Sequence, residues 1–567
     1  MATKVWATRV GLQKKRGLLG EMWVFGAKYH SPTPTVLFTV THRVVWLAIT
    51  SILEEPKPKP MAESSSLNDL KQMLADELAK EQLPPSPSLD APPASAQKTI
   101  EVEGPTLFQD SVLWQWQREF FAQAGPEAWR GGIVPHYITS SSYLAYSYAQ
   151  VVLAYQQDRA LAGETAPLTV MELGGGSGQF TFLFLKHYWE SAAPYLPPLE
   201  YVFTDVVQAN LDFVAQHPLL ARPQEHGLLD VALFDISHPQ PLTLQGSDTP
   251  WLTEPTDGPL LVIANYLWDT VPMELWRFQE GQAYPLQVAL SLPASPGQPV
   301  DYTRLPDLVL SYTEGKPEAP LHPMLTQLLA ADFEGDVLFP KIGLDCLDWL
   351  NQQVQGQLLL LSGDKPQTEG AAPHQPLQPV HHGSFSLPVN FEAFRWWAQQ
   401  QGGFAFTPLR WHRSLHVGWY AASHEPDHHL QRAIHQYLED FHPGDQFVLK
   451  RAVEEQYSEL TPEEVLAYVR FSRYDSKALR RGLATLMGYV NGYTEAMRQE
   501  ILEVIRRAWD NYYPLGENPD LPFLIGSLLY EMDFYAEAKQ FFEFSAQLYG
   551  PDEGTLANIK SCQEMMD

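Results

Sequence analysis

Four polar side chains in this sequence each stand at or just past the end of an apolar run. They are Glu172 after LTVM, Asp205 after YVFT, Asp235 after LLDVALF and Asn265 after LLVIA. Carboxylates and carboxamides in such places accept hydrogen bonds from hydroxyl and amino groups of a ligand. Directly after Glu172 and Leu173 comes Gly174-Gly175-Gly176-Ser177-Gly178, and then an apolar-periodic stretch through Phe180, Phe182, Leu183, Leu185 and Tyr188. That order predicts strand, tight turn, helix. Glycines let the backbone turn sharply and lie flush against a ligand, and the new helix points its free N–H groups into the turn. The phosphate-loop pattern is excluded, because Gln179-Phe180 stand where Lys and Ser/Thr are required. A dinucleotide fingerprint wants an acid about 20 residues on, and the next acidic strand end comes only at Asp205. Glu172 would repel a pyrophosphate, yet it could hold an amino group or water beside a cationic ligand. A purely structural turn or a site for another nucleotide remains the alternative.

The strands that carry these groups are separated by helix-sized intervals, which predicts a parallel, doubly wound sheet with ligands at the carboxyl ends of its strands. A single strand-end acid, Asp235 above all, could equally cap a helix. Beyond Asn265 the chain reads Tyr266-Leu267-Trp268-Asp269-Thr270, and Asp269 is the candidate for orienting or deprotonating an acceptor, or else for capping the next helix. Upstream, GGIVPHYITSS interrupts helical sequence between Phe108 and Asp158. It reads as a helix–loop–helix, or as a lid whose Thr139 and Ser140 help close the pocket. Prolines and alternating stretches from Ala283 to about Glu334 predict a β-rich insertion. The further expected elements are a helix over 339–355, a strand over QLLLLSGDK, a helix over 391–401 and a closing strand in LRWHRSLHVGWY. His381 and His382 lie in a loop without carboxylate or cysteine at ligand spacing, so no metal site is expected.

At 567 residues the chain is too long for one core. A formal charge of -29 argues against a nucleic-acid partner. Two distant cysteines, Cys346 and Cys562, point to a reducing compartment. Residues 1–60 form an atypical basic leader with nine Lys/Arg against three Asp/Glu. Their apolar run, Val36 to Leu53, carries His42 and Arg43 at its middle, where Arg costs about 2.5–3.5 kcal/mol to insert into a membrane. Membrane anchoring is therefore disfavoured. A transit peptide stays open, and Met61 is an alternative start. Residues 61–105 read as a short helix with Leu67, Leu70, Met73, Leu74 and Leu78 on one face, then the Pro/Ser-rich linker LPPSPSLDAPPASAQ, with order expected again near Thr106. Residues 106–424 make the α/β domain and residues 425–567 an acidic helical one. Within the latter, Ile525-Gly526, Leu529, Ala538, Phe542 and Pro551 fall close to tetratricopeptide (TPR) spacing. A generic helical bundle is the alternative.

Glu-x-Gly-x-Gly-x-Gly resembles motif I of class I S-adenosylmethionine methyltransferases. Together with IANYLWDTVPMELWRF, the QGQLLLLSGDK strand, GSFSLPVNF and the PHYITSS loop, it makes residues 105–420 similar to the MidA-like family, which includes an arginine methyltransferase of complex I assembly. The resemblance implies a Rossmann-like methyltransferase sheet. Glu172, Gly174, Gly176 and Gly178 would position the methionine end of S-adenosylmethionine, Asp205 the ribose and Asp235 the adenine. Thr139, Ser140 and Asn265 would complete that pocket. Asn265, Tyr266 and Asp269 would face the acceptor. Two departures stand out: Tyr266 replaces the family's glutamate after Asn265, and Lys365 follows Asp364 where tyrosine is usual. A glutamate would clamp a guanidinium, so its loss puts arginine as acceptor in question. The expectation is a cytoplasmic methyltransferase whose helical repeats recruit a protein substrate. The rivals are a catalytically silent adaptor and a small-molecule methyltransferase whose repeats serve dimerisation.

Overall fold

A computed structural model describes residues 13–17, 20–24, 99–130, 134, 137–294, 297–367, 380–382, 384–410, 412–423, 425–516 and 520–567. The apolar run 36–53, the alternative start at Met61, the helix expected over 66–82 and the Pro/Ser-rich linker lie outside the described residues. The chain divides into two units, Met1–Trp46 and Leu47–Asp567. In the first, strands β1 (Gln13–Gly17) and β2 (Gly20–Val24) pair as an antiparallel hairpin.

The second unit is built on a seven-stranded sheet. Its strands are β4 (Leu168–Leu173), β5 (Leu199–Asp205), β6 (Leu229–Leu233), β7 (Leu260–Asn265), β12 (Leu358–Asp364), β13 (Phe404–Phe406) and β14 (His416–Ala421), in spatial order β13-β14-β12-β7-β4-β5-β6. The strands β6, β5, β4, β7 and β12 pair in parallel, whereas β14 runs antiparallel to both β12 and β13. The four strands expected to be parallel are so, and the antiparallel pairing of β13 and β14 makes the whole sheet mixed. The link between β13 and β14, residues 407–415, is too short for a parallel crossover, which leaves the antiparallel sense.

Side chains alternate strictly between the two faces of the sheet. One set, including Val170, Tyr201, Phe203, Ile263, Leu361 and Trp419, packs against helices α2 (Ser142–Leu161) and α3 (Gln179–Ser191). The other set, including Met171, Val202, Val262, Leu360 and Tyr420, packs against helices Lys341–Gln353 and Phe391–Gln400. Burial on both faces explains why these strands read as continuous apolar runs.

A second, five-stranded antiparallel sheet covers the expected insertion. It comprises β8 (Glu274–Gln279), β9 (Gln282–Pro293), β10 (Val309–Glu314) and β11 (Gly335–Phe339), joined by β3 (Thr99–Leu107) along β9. The ordered segment expected to start near Thr106 includes a strand that begins at Thr99. Helix α1 (Val112–Ala124), capped by the Ser111 hydroxyl, follows β3.

Helices past residue 425 share the core of the main sheet. Leu430, Ala433 and Ile434 of α4 (His428–Ile434), with Leu438, Tyr513 and Leu515, are buried in the cluster around α2 and α3. The Asp158 carboxylate of α2 caps α4, accepting from the N–H groups of His429 at 3.2 Å and Leu430 at 2.7 Å. The chain then forms a further helical core and closes with α5 (Leu521–Glu531), α6 (Tyr535–Tyr549) and α7 (Glu553–Met566). Gly526 lets α5 approach α6 closely, since a Cβ there would stand 2.9 Å from the Phe542 ring. Among the described residues no helix is long and apolar enough to cross a membrane. No group of three or more His, Cys, Asp or Glu among them is placed to hold a metal ion.

Candidate functional site

Strand order reverses between β4 and β7: β5 and β6 lie on one side of β4, and β7 on the other. Such a switch point opens a crevice at the strands' carboxyl ends, and there the turn after β4 meets the turn after β7. Gly174, Gly176 and Gly178 all adopt left-handed backbone, with φ of +64°, +60° and +75°. That region is costly for any residue with a Cβ. Gly178 also starts α3 without a side-chain cap, so the helix offers free N–H groups at its positive end.

The turn is held from below. Gly175 N–H donates to the Thr204 carbonyl at 3.0 Å, and Gly176 N–H to Asp205 Oδ2 at 3.0 Å. Asp205 Oδ1 accepts from Val207 N–H at 2.8 Å. Burial raises the pKa of Asp205, while the Val207 and Gly176 N–H groups oppose the rise. The Asn210 side chain and the Val206 N–H hydrogen-bond the same carboxylate.

Glu172 is buried beneath the turn and accepts from the Thr181 hydroxyl at 2.5 Å and the Tyr201 hydroxyl at 2.7 Å, tying β4 to α3 and β5. Its position makes it a brace for the turn. Burial pushes its carboxyl up to about 7, against the two hydroxyl donors. Because the folded pKa is raised, the neutral form is favoured in the fold. The stability this group contributes is therefore full below its ordinary value and lost as pH rises through about 7. A Glu172→Gln variant is expected to show a flatter decline of melting temperature between about pH 5 and 7, where one proton's linkage is worth about 1.4 kcal/mol per pH unit. Thermal melts across that range check it, and an unchanged slope would sink the assignment.

Past β5 and β6 lies a cleft of about 570 Å³ lined by Ala122, Val207, Phe234, Leu242, Arg118 and Asp235, among others. Its apolar walls suit a flat aromatic base. Asp235 stands two residues beyond the end of β6, at the rim, where it pairs with Arg118 at 2.6 Å and accepts from Ser237 N–H at 2.9 Å. Burial would raise its pKa, but the Arg118 guanidinium and Ser237 N–H hold it below the ordinary carboxylate value. Arg118 belongs to no motif, and the sequence gives no signal for it.

On the other side of the switch point, Asn265 Oδ1 accepts from the Tyr148 hydroxyl of α2 at 2.8 Å. Leu267 covers Gly174, whose added Cβ would stand 2.7 Å from Leu267 Cδ1, and Trp129 covers Gly176 at 2.6 Å in the same sense. These two side chains wall the turn. Tyr266 takes the left-handed region, with φ +46°, and its hydroxyl donates to the Ser414 carbonyl inside the fold. Asp269 lies within a 3-10 turn, Trp268–Thr270, whose cap makes no side-chain hydrogen bond. The element that follows is strand Glu274–Gln279, so no helix begins there for Asp269 to cap.

Asp269 and Asp364 are both buried, and Asp269 Oδ1 and Asp364 Oδ2 lack hydrogen-bond partners. Burial raises both pKa values, and Asp269 raises that of Asp364 further; the Lys365 ammonium pulls Asp269 the other way. Asp364 closes an apolar strand run just as Glu172 and Asp205 do, so the same signal could have found it. Thr139 and Ser140 lie in the turn before α2, with Ser140 buried. Their neighbours face the C-terminal helices: the Tyr137 ring lies 4.2 Å from Lys450 Nζ, and Ser142 N–H donates to Asp475 at 3.0 Å.

The structure thus gathers Glu172, the three glycines, Asp205 and Asn265 around one crevice, with Asp235 across the adjoining cleft. Asp269 and Tyr266 point into the protein.

No protein family and no curated protein matches this chain in sequence. Several solved structures are similar to it at low identity. An uncharacterized superfamily protein from Burkholderia thailandensis is 15% identical over 62% of this chain and 80% of its own, with a TM-score of 0.32. A member of the same superfamily and organism, bound to S-adenosyl-homocysteine, is 16% identical over 47% of this chain and 63% of its own, with a TM-score of 0.29. The CMeT domain of the citrinin polyketide synthase is 11% identical over 47% of this chain and 48% of its own, with a TM-score of 0.23.

Proposed function

We propose that this chain is an S-adenosylmethionine-dependent methyltransferase of MidA-like type. The observation that carries the reading is the turn of three left-handed glycines between buried Glu172 and an uncapped helix start, set at the strand-order switch point. The donor set fits the cofactor. Free N–H groups at the start of α3 suit its carboxylate. Asp205, at the end of β5 beside the turn, is the carboxylate placed to receive ribose hydroxyls, and the apolar cleft beside Asp235 suits the base. The bound sulfonium supplies an electrophilic methyl group, so the protein chiefly aligns an in-line displacement and keeps water out. Leu267 and Trp129 exclude water over the glycine turn. Asn265, fixed by Tyr148, presents its amide beside the crevice. Asp269, buried in the turn after Asn265, would reach an acceptor's proton only if the acceptor entered past Asn265.

A protein acceptor, engaged by helices α5–α7 in a TPR-like arrangement, is the favoured substrate class. The close Gly526–Phe542 approach supports that arrangement. The reading also places the protein in the cytoplasm. One observation favours the adaptor alternative: Tyr266, where a clamping glutamate is usual in the family, turns its hydroxyl into the fold. Incubation of the full chain with methyl-labelled S-adenosylmethionine and a cell extract separates the two. Label on a protein band, absent with Asp205→Ala, supports transfer. Cofactor binding without label on any acceptor supports the adaptor.

A further inference from the structure

The glycine turn has a second support that comes from far along the chain. Tyr513, 2% exposed, donates its hydroxyl to the Ser177 carbonyl at 3.0 Å. Its ring stacks on His217, with centroids 3.8 Å apart and planes 13° from parallel. Phe182 of α3 packs against the same ring at 5.5 Å. A Cβ on Gly178 would reach within 3.1 Å of the Tyr513 oxygen, so the phenol sits against the turn itself.

Neighbouring residues lock this segment in place. Arg130 Nε donates to the Leu515 carbonyl, and Gly516, with φ +88°, leaves room for that guanidinium. Arg130 follows Trp129, the residue covering Gly176, so segment 513–516 touches the turn and the residue next to its cover. Burial, with Glu172 adding to it, keeps the phenol protonated and burial keeps His217 neutral.

We infer that Tyr513 is a positioning residue of the cofactor site, through which the C-terminal helical region sets the conformation of the Gly174–Gly178 turn. This rests on the cofactor reading above. A ligand that needs the turn preformed binds more weakly when the turn is released, so displacement of segment 513–516 is a route by which the helices change cofactor affinity.

The test compares Tyr513→Phe with Tyr512→Phe in the full chain. The first keeps the ring stack and deletes the bond to Ser177. The second deletes a hydroxyl contact to Tyr549, in the same segment but away from the turn. Calorimetry with S-adenosylhomocysteine and amide hydrogen exchange over residues 174–182 are measured for both. Tyr513→Phe is expected to weaken binding about threefold to tenfold, the range one hydrogen bond spans, and to speed exchange in that peptide. Tyr512→Phe should do neither. Equal affinity and exchange in wild type and Tyr513→Phe overturn this inference alone. Equal losses in both variants also overturn it, by showing only a general structural role. A folded wild type that binds no S-adenosylhomocysteine overturns the cofactor reading and this inference with it.

Discussion

Replacing Gly176 by valine is expected to reduce cofactor binding by at least about a hundredfold, nearly 3 kcal/mol, with the fold retained. Three effects act together. The position has φ +60°, where a β-branched side chain is strongly disfavoured. A Cβ would stand 2.6 Å from Cζ2 and 2.9 Å from Cε2 of Trp129, so the ring or the turn must move. The Gly176 N–H is also the group that Asp205 holds, so a displaced turn frees the carboxylate proposed for the ribose. Gly227→Ala is the control. Gly227 has a similar φ of +65° but nothing within 4 Å of an added Cβ, so it carries backbone strain without touching the crevice. Titration calorimetry on both variants, with melting curves to confirm folding, checks the pair. Equal affinity in both would contradict the placement of the ligand on this turn.

Truncation after Ser423 is expected to leave the α/β region unable to fold cooperatively. Leu430, Ile434, Leu438, Tyr513 and Leu515 are all buried in the cluster that covers α2 and α3. Burying such side chains contributes about 1.5–3 kcal/mol each, and the five together rival a domain's whole margin of about 5–15 kcal/mol. Near-UV circular dichroism and a melting curve of residues 61–423 test this. A sharp cooperative transition in the truncated protein would contradict it.

Much of the α/β region was legible because its signals are local. The LTVMELGGGSGQF stretch states strand, turn and helix in thirteen residues, and β4 and α3 fall where periodicity puts them. The antiparallel sense of β14 was not legible, since an apolar run buried on both faces reads alike in either direction. Nor was the Asp235–Arg118 pair, whose members lie on elements that the sequence does not connect. Amphipathic helices past residue 425 announce an apolar stripe without naming what covers it. Leu430 and Ile434 turn out to face α2 and the sheet. The bond from Tyr513 to Ser177 spans 336 residues, beyond the reach of any local pattern. Tyr266 shows the opposite limit: its place after Asn265 can be read directly from the sequence, but the turn of its hydroxyl toward Ser414 needs the structure.

The most direct measurement is a calorimetric titration of the full chain with S-adenosylmethionine, alongside Asp205→Ala. One site per chain with micromolar affinity, lost in the variant while its melting curve is kept, is the predicted result. A folded wild-type protein that takes up no S-adenosylmethionine at millimolar concentration would contradict the claim that the turn after β4 is a cofactor site.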